Sequence, residues 1–235
     1  MQILPILRSA RSLDRTQFLL IAGLGLGLVL FVGLLHHLVT EQPGTNSYAL
    51  LAEAFLNGRL DVTQCFDSDC AHFAGKTYVI FPPVPAIVAM PFIALFGNDF
   101  AGFATIGFLA FAGSLFLWLK IFRKLETDSQ TIVWLMLALA FATPLYYVSI
   151  RADRVWFFAQ SINFFLVTAA LHEVIRGGKL VWAGIFLGAA FLCRQMSLFL
   201  LPFLFVLALK SDEPLISFRP AHIKRALKLG LPVAA

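Results

Sequence analysis

Between Gly184 and Leu209 the chain reads GIFLGAAFLCRQMSLFLLPFLFVLAL, and its only formal charge is Arg194. A charge at bilayer depth costs roughly 2.5–3.5 kcal/mol, so an arginine in such a stretch fills a role that a neutral residue cannot. Two more arginines, Arg151 and Arg154, fall in SIRADRVWFFAQS together with Asp153 and Gln160, again between apolar runs. Arginine presents a planar fork of donors that matches phosphate oxygens. Residues 40–99 supply complementary groups: Glu41, Glu53, Asp61, Asp67, Asp69 and Asp99, against only Arg59 and Lys76. A carboxylate there can accept the proton of an attacking hydroxyl. Carboxylates on one loop facing arginines at helix ends suit a phosphate-linked substrate whose tail lies in lipid. The plainer alternative is that Arg151 and Arg154 snorkel to a membrane interface beside Asp153.

Either reading depends on how the chain is threaded. Hydrophobic residues make up 60% of the 235 residues and charged ones 13%, with mean hydropathy +0.84. Soluble domains carry about 25% charged residues, so this composition belongs to a membrane protein. The net charge of +5 does not point to nucleic acid, because the basic residues stand in short clusters between apolar runs, as topology signals do. Apolar runs predict an all-α, multi-span transmembrane bundle over 1–235 as one membrane domain. Its spans lie at about 18–39, 100–120, 131–148, 155–175, 180–193 and 195–209, with a further span starting at 226–235. The run at 18–39 is too long for a signal peptide and follows Arg8, Arg11 and Arg15, so it is an anchor with a cytoplasmic N-terminus. Residues 181–209 are too long for one straight helix. If they turn back near Arg194, only Arg59, Lys76, Arg151, Arg154 and Arg194 of the 18 Lys and Arg lie outside, the distribution that the positive-inside rule favours. Arg194 then sits at the outer membrane face. The chain stops soon after starting a last apolar run, as a fragment of a longer protein would.

The outer loop, residues 40–99, has helices of its own. TNSYALLAEAFLNGRLD predicts a short interfacial helix capped by Thr45 or Asn46 and ended by Gly58. Its apolar face carries Tyr48, Leu51 and Phe55, with Asn46, Glu53 and Asn57 opposite. Pro82, Pro83 and Pro85 lead into an apolar segment too short to span, which ends at Gly97. Cys65 and Cys70 bracket an acidic turn on the oxidising side and are a disulfide candidate. Asp67, Asp69 and His72 offer donors for a divalent cation, a weaker reading than a solvated acidic turn, and no cofactor is otherwise implied. His36 and His37 end the first span at the interface, and His172 and His222 fall inside.

In this order the segments resemble the N-terminal half of GT-C fold glycosyltransferases, which use polyprenyl-phosphate sugars. Protein mannosyltransferases and aminoarabinose transferases of lipid A are examples. The resemblance rests on NSYALLAEAFLNGRLD, GKTYVIFPPVPAIVAMPFIALFG and FLGAAFLCRQMSLFLLPF and covers about residues 10–230. It implies that Arg194 faces the lipid-linked phosphate and that the first outer loop holds the base. Many relatives have Asp where this chain has Asn46, which makes Glu41 the first candidate base and Asp61 the second. The hairpin reads Cys-Arg-Gln where the family pattern is close to Thr-Arg-Pro. Asn46, Tyr48, Glu53, Arg151, Arg154 and Arg194 are then the substrate-binding residues. The expected activity is transfer of a sugar from a polyprenyl-phosphate donor to an unidentified acceptor, on the outer face of a bacterial inner membrane. The expected partners are this donor and membrane lipids, with no nucleic acid. The alternative is a non-catalytic lipid-binding or assembly subunit of the same fold. A transporter fits less well, because the polar residues gather at one face and not at mid-membrane.

Overall fold

The computed structural model describes residues 14–42, 46–66, 70–210 and 213–234. It is an all-α bundle with one very small sheet. Three helices are long and apolar enough to cross a membrane: α1 (Arg15–Val39), then Phe103–Lys124 and Val155–Gly177. Most of α1 is exposed, with Leu24, Leu28, Val29 and Val32 outward, as in a helix bathed in lipid.

The loop after α1 forms α2 (Ser47–Leu56), a three-stranded antiparallel sheet ordered β1 (Asp61–Val62), β3 (Lys76–Val79), β2 (Cys70–Phe73), and α3 (Pro83–Phe96). Asn46 caps α2 by accepting the Tyr48 N–H, and Gly58 follows it with φ of 66°. Thr45, the other candidate cap, lies outside the described residues. The helix sinks deeper than its amphipathic pattern suggests: Ser47 through Ala52 are buried, with α3 packed against it. Gly97, at φ 72°, ends α3. The sheet was not legible in the sequence, since its longest strand has only four residues.

Next come α4 (Phe103–Lys124), α5 (Ser129–Phe141), α6 (Pro144–Ile150) and α7 (Val155–Gly177). The expected single span at 131–148 is broken: α5 and α6 meet at 49°. Pro144 has no N–H for the preceding turn, and the Thr143 hydroxyl accepts the Leu145 N–H, so a new helix starts there. Tyr146 donates to the Leu30 carbonyl at 2.8 Å and fastens α1 to the bend.

Side-chain contacts fix the direction of each helix. Glu41, just after α1, bonds the first turn of α4, and the Phe103 and Phe158 rings, at the starts of α4 and α7, meet at 5.0 Å. So α1 ends on the side where α4 and α7 begin, and the loop holding α2 and α3 returns without crossing. The chain then runs through α8 (Leu180–Phe191), a 3-10 segment Gln195–Leu200, α9 (Leu201–Leu207) and α10 (Pro220–Ala234). A Cβ on Gly184 would stand 2.4 Å from the Leu229 carbonyl oxygen, and one on Gly188 2.9 Å from that of Pro232. These paired contacts set α10 parallel to α8, so the chain after Arg194 returns to the side from which α8 departs.

Candidate functional site: an arginine-headed cavity

CRQMS contains neither Gly nor Pro, yet α8 stops before it. The chain leaves the helix at Leu192, and Arg194 takes an extended conformation at φ −149° and ψ 114°. Two contacts hold the break open. The Leu192 carbonyl accepts the Val84 N–H from the first turn of α3 at 3.2 Å. The Arg194 guanidinium donates through Nη2 to the Trp156 carbonyl at 2.6 Å and lies 4.8 Å from the Trp156 ring centre, a cation–π distance. Its Nε is buried and makes no hydrogen bond. Arg194 is thus half-buried at the amino end of α7, where both α3 and the break meet.

Arg194 borders a cavity of about 560 Å³, within the range of small-molecule sites. Leu139, Thr143, Pro144, Leu145 and Val148 from the α5–α6 bend form one wall. Gln160, Asn163 and Phe164 of α7 form another, and Met196 closes it beside the arginine. Gln160 and Asn163 are three residues apart and therefore project from the same face of α7. Asn163 is oriented by the Ser197 hydroxyl, which donates to its Oδ1 at 2.6 Å. The lining is mostly apolar, with one cation and two amides, a composition that accepts an amphipathic anion.

Aromatic rings connect this cavity to a polar cluster on the same side of the bundle. Tyr48 packs against Phe81 and Phe158, with ring centres 5.7 and 5.9 Å away, and Phe81 meets Trp156 edge-on at 5.3 Å. Burial holds the Tyr48 phenol protonated above its usual range, although the charge of Arg194 pulls the other way.

Asp153 is the centre of the cluster. His37 approaches its Oδ1 at 3.5 Å, Arg151 the same oxygen at 3.7 Å, and Arg154 its Oδ2 at 3.3 Å. Asn46 donates to the Asp153 carbonyl at 3.1 Å while its own Oδ1 caps α2, so both ends of that amide are engaged. Glu41 accepts the Phe103 N–H at 3.0 Å and the Ala104 N–H at 3.1 Å. Its carboxyl is pushed up from an ordinary 4.5 to about 7 by burial, against the pull of those two donors, with the Asp153 charge adding to the rise.

The other candidates fall elsewhere. Asp61 pairs with Lys76 at 3.1 Å and Arg59 at 4.0 Å on the edge of the sheet, and that hydrogen bond with Lys76 keeps its carboxyl below the usual range. Glu53 accepts the Asn98 amide at 2.6 Å and ties α2 to the turn after α3. Cys65 and Cys70 form a disulfide. Asp67 and Asp69 lie outside the described residues, and His72 Nδ1 faces the Thr77 hydroxyl at 3.0 Å. Among the described residues no group of three His, Cys, Asp or Glu is placed to hold a metal.

Sequence reasoning passed over Asn163, Thr143 and the centrality of Asp153. The spacing of Gln160 and Asn163 was a usable signal, but only the fold shows that this face of α7 turns toward a void. No family model matches the chain, and neither a curated protein nor a solved structure shows significant similarity to it.

Proposed function

We propose that this chain is, or forms part of, a multi-pass membrane glycosyltransferase of GT-C type. It would act on a polyprenyl-phosphate sugar at the outer face of a bacterial inner membrane, with a cytoplasmic N-terminus. One observation carries the reading: Arg194 stands at the edge of an apolar cavity of about 560 Å³, with its Nε unspent. The isoprenoid end of the donor occupies the apolar wall formed by the α5–α6 bend, and its phosphate lies against Arg194. Gln160 and Asn163 are the amides within the same cavity that can bond sugar hydroxyls.

The reaction is an inverting displacement. The acceptor oxygen attacks the anomeric carbon, the bond from that carbon to the phosphate oxygen breaks, and its electron pair stays on the phosphate, which Arg194 stabilises. The acceptor proton passes to a carboxylate. Glu41 is the better candidate, because its value of about 7 suits proton acceptance at neutral pH, whereas Asp61 is held as a paired anion.

The same Glu41 geometry favours the second reading, a non-catalytic lipid-binding subunit, since each carboxylate oxygen already holds a backbone donor. One experiment separates the two. The chain in lipid nanodiscs is given a panel of radiolabelled polyprenyl-phosphate sugars, comparing wild type, Arg194→Met and Glu41→Gln. Saturable binding lost in Arg194→Met, together with sugar release or transfer lost in Glu41→Gln, is the enzymatic result. Binding without turnover assigns the subunit role, and binding indifferent to Arg194 removes the basis for both.

A further inference from the structure

A second cavity, of about 230 Å³, lies between the carboxyl ends of α4 and α7, on the side of the bundle opposite the Phe103–Phe158 contact. Lys120, Arg123 and Lys124 from α4 and His172 and Arg176 from α7 line it, over a floor of Ile121 and Ile175. Nothing in the proposed transfer reaction uses it.

Basic residues at helix carboxyl ends have an ordinary role, which is to balance the partial negative charge of the last turn. Two helix ends together carry about one negative charge. Glu173, 3.1 Å from His172 Nδ1, supplies another. Four formal cations surround the cavity, so an excess of about two positive charges remains after both are counted. Among the described residues Lys120, Arg123, Lys124 and Arg176 make no ion pair; Lys120 rests on the Phe116 ring, 4.2 Å from its centre. On the connection that follows α4, Asp128 is committed to capping α5 through the Thr131 N–H, and Glu126 is exposed, outside the cavity lining and paired with none of these cations.

His172 is the independent indication of a ligand. It is 5% exposed, lines the cavity, and its Nε2 has no hydrogen-bond partner. A buried polar nitrogen without a partner is costly. With Nδ1–H directed at the Glu173 carboxylate, Nε2 is an acceptor, and a hydroxyl seated in the cavity, on a lipid headgroup or on hydrogen phosphate, would satisfy it.

We propose that this cavity binds a phosphate group, carried by an anionic phospholipid of the inner leaflet or present as free phosphate. Phosphate fits for three reasons. Its several oxygens can meet an excess of two cations while a hydroxyl of the headgroup or of hydrogen phosphate donates to the His172 nitrogen, arginine forks match it, and the isoleucine floor is compatible with a glycerol or acyl stem. By the distribution of basic residues, these ends of α4 and α7 face the cytoplasm, where anionic headgroups and soluble phosphate are both available.

The test uses the full chain in detergent. Native mass spectrometry compares retention of dioleoylphosphatidylglycerol with that of dioleoylphosphatidylcholine. Line broadening in ³¹P NMR reports binding of inorganic phosphate. The double variant Arg123→Gln/Arg176→Gln removes two exposed side chains and leaves the packing untouched, His172→Gln addresses the buried nitrogen, and Lys228→Gln on α10 is the control outside the cavity. The expected result is preferential retention of the anionic lipid, weakened roughly tenfold to thirtyfold in the double variant and unchanged in Lys228→Gln. Phosphate broadening lost in the double variant, without a lipid preference, assigns the site to free phosphate. Equal retention of both lipids with no phosphate binding overturns the proposal, as does an equal loss in Lys228→Gln, which would reduce the effect to general surface charge.

Discussion

Glu41 and Phe103, 62 positions apart, are joined by a 3.0 Å hydrogen bond from the Phe103 N–H to the Glu41 carboxylate. With the Ala104 N–H on the other oxygen, this one side chain caps α4 from the end of α1 and closes the whole loop between the two helices. Burial lifts its carboxyl from 4.5 to about 7. Between these values the folded protein holds a proton that the unfolded chain has released, so stability is greatest below the lower value and falls as pH rises through the window. Above about 7 it levels off. Thermal unfolding in nanodiscs is expected to show this decline in wild type and to lose it in Glu41→Gln. A slope that persists in the variant assigns the effect to another group. Glu41→Ala, which removes the cap altogether, should cost about 1–2 kcal/mol.

Asn46 is the position where the resemblance to GT-C transferases implies Asp, and its surroundings explain the amide. Its oxygen caps α2 and its NH2 donates to the Asp153 carbonyl. Aspartate keeps the cap but sets an oxygen against that carbonyl, close to the Asp153 carboxylate. Asn46→Asp should therefore lower stability by about 1–3 kcal/mol, read from denaturation midpoints. A neutral or stabilising outcome would mean that the link to Asp153 is weak.

Gly107 allows α4 to lie against the α6–α7 turn. A Cβ there would stand 2.3 Å from the Ala152 Cβ, so the helices must separate to admit it. Gly107→Ala should destabilise by about 1–3 kcal/mol, and Ala152→Gly in the same chain should recover most of the loss. Additive effects in that double-mutant cycle would show that the two positions do not touch.

The Cys65–Cys70 disulfide staples a small sheet that is anchored on the α2 core through Val62 and Val79. Replacing both cysteines with serine should cost about 2 kcal/mol locally, on loop-closure grounds. Proteolysis between residues 60 and 80 is expected to accelerate, while the unfolding midpoint of the membrane helices stays put. A drop in that midpoint would mean that the Val62 and Val79 contacts carry the loss into the bundle.

Much of the architecture was legible because hydrophobic length and charge distribution are local properties. The three long apolar helices, the short Pro-led α3 and the Asn46 cap follow from run lengths, proline placement and side-chain type, none of which needs a partner. The helix break beside Arg194 was expected from the length of the 181–209 run and the cost of a buried charge, although nothing in CRQMS encodes a turn. The Val84 and Trp156 contacts that hold it come from elsewhere in the chain.

What only the tertiary structure decided is which polar groups meet. Glu41 and Asp61 look alike in sequence, but one is buried on the amino end of a helix and the other is paired on a sheet edge, and their carboxyls shift in opposite directions for that reason. Asp153 reads as one member of a charged triplet, yet folding places His37 and Asn46 on it as well. A residue's type sets the bonds it can make. Desolvation and the partners brought to it across the bundle determine which of those bonds it makes, and these depend on packing between distant segments.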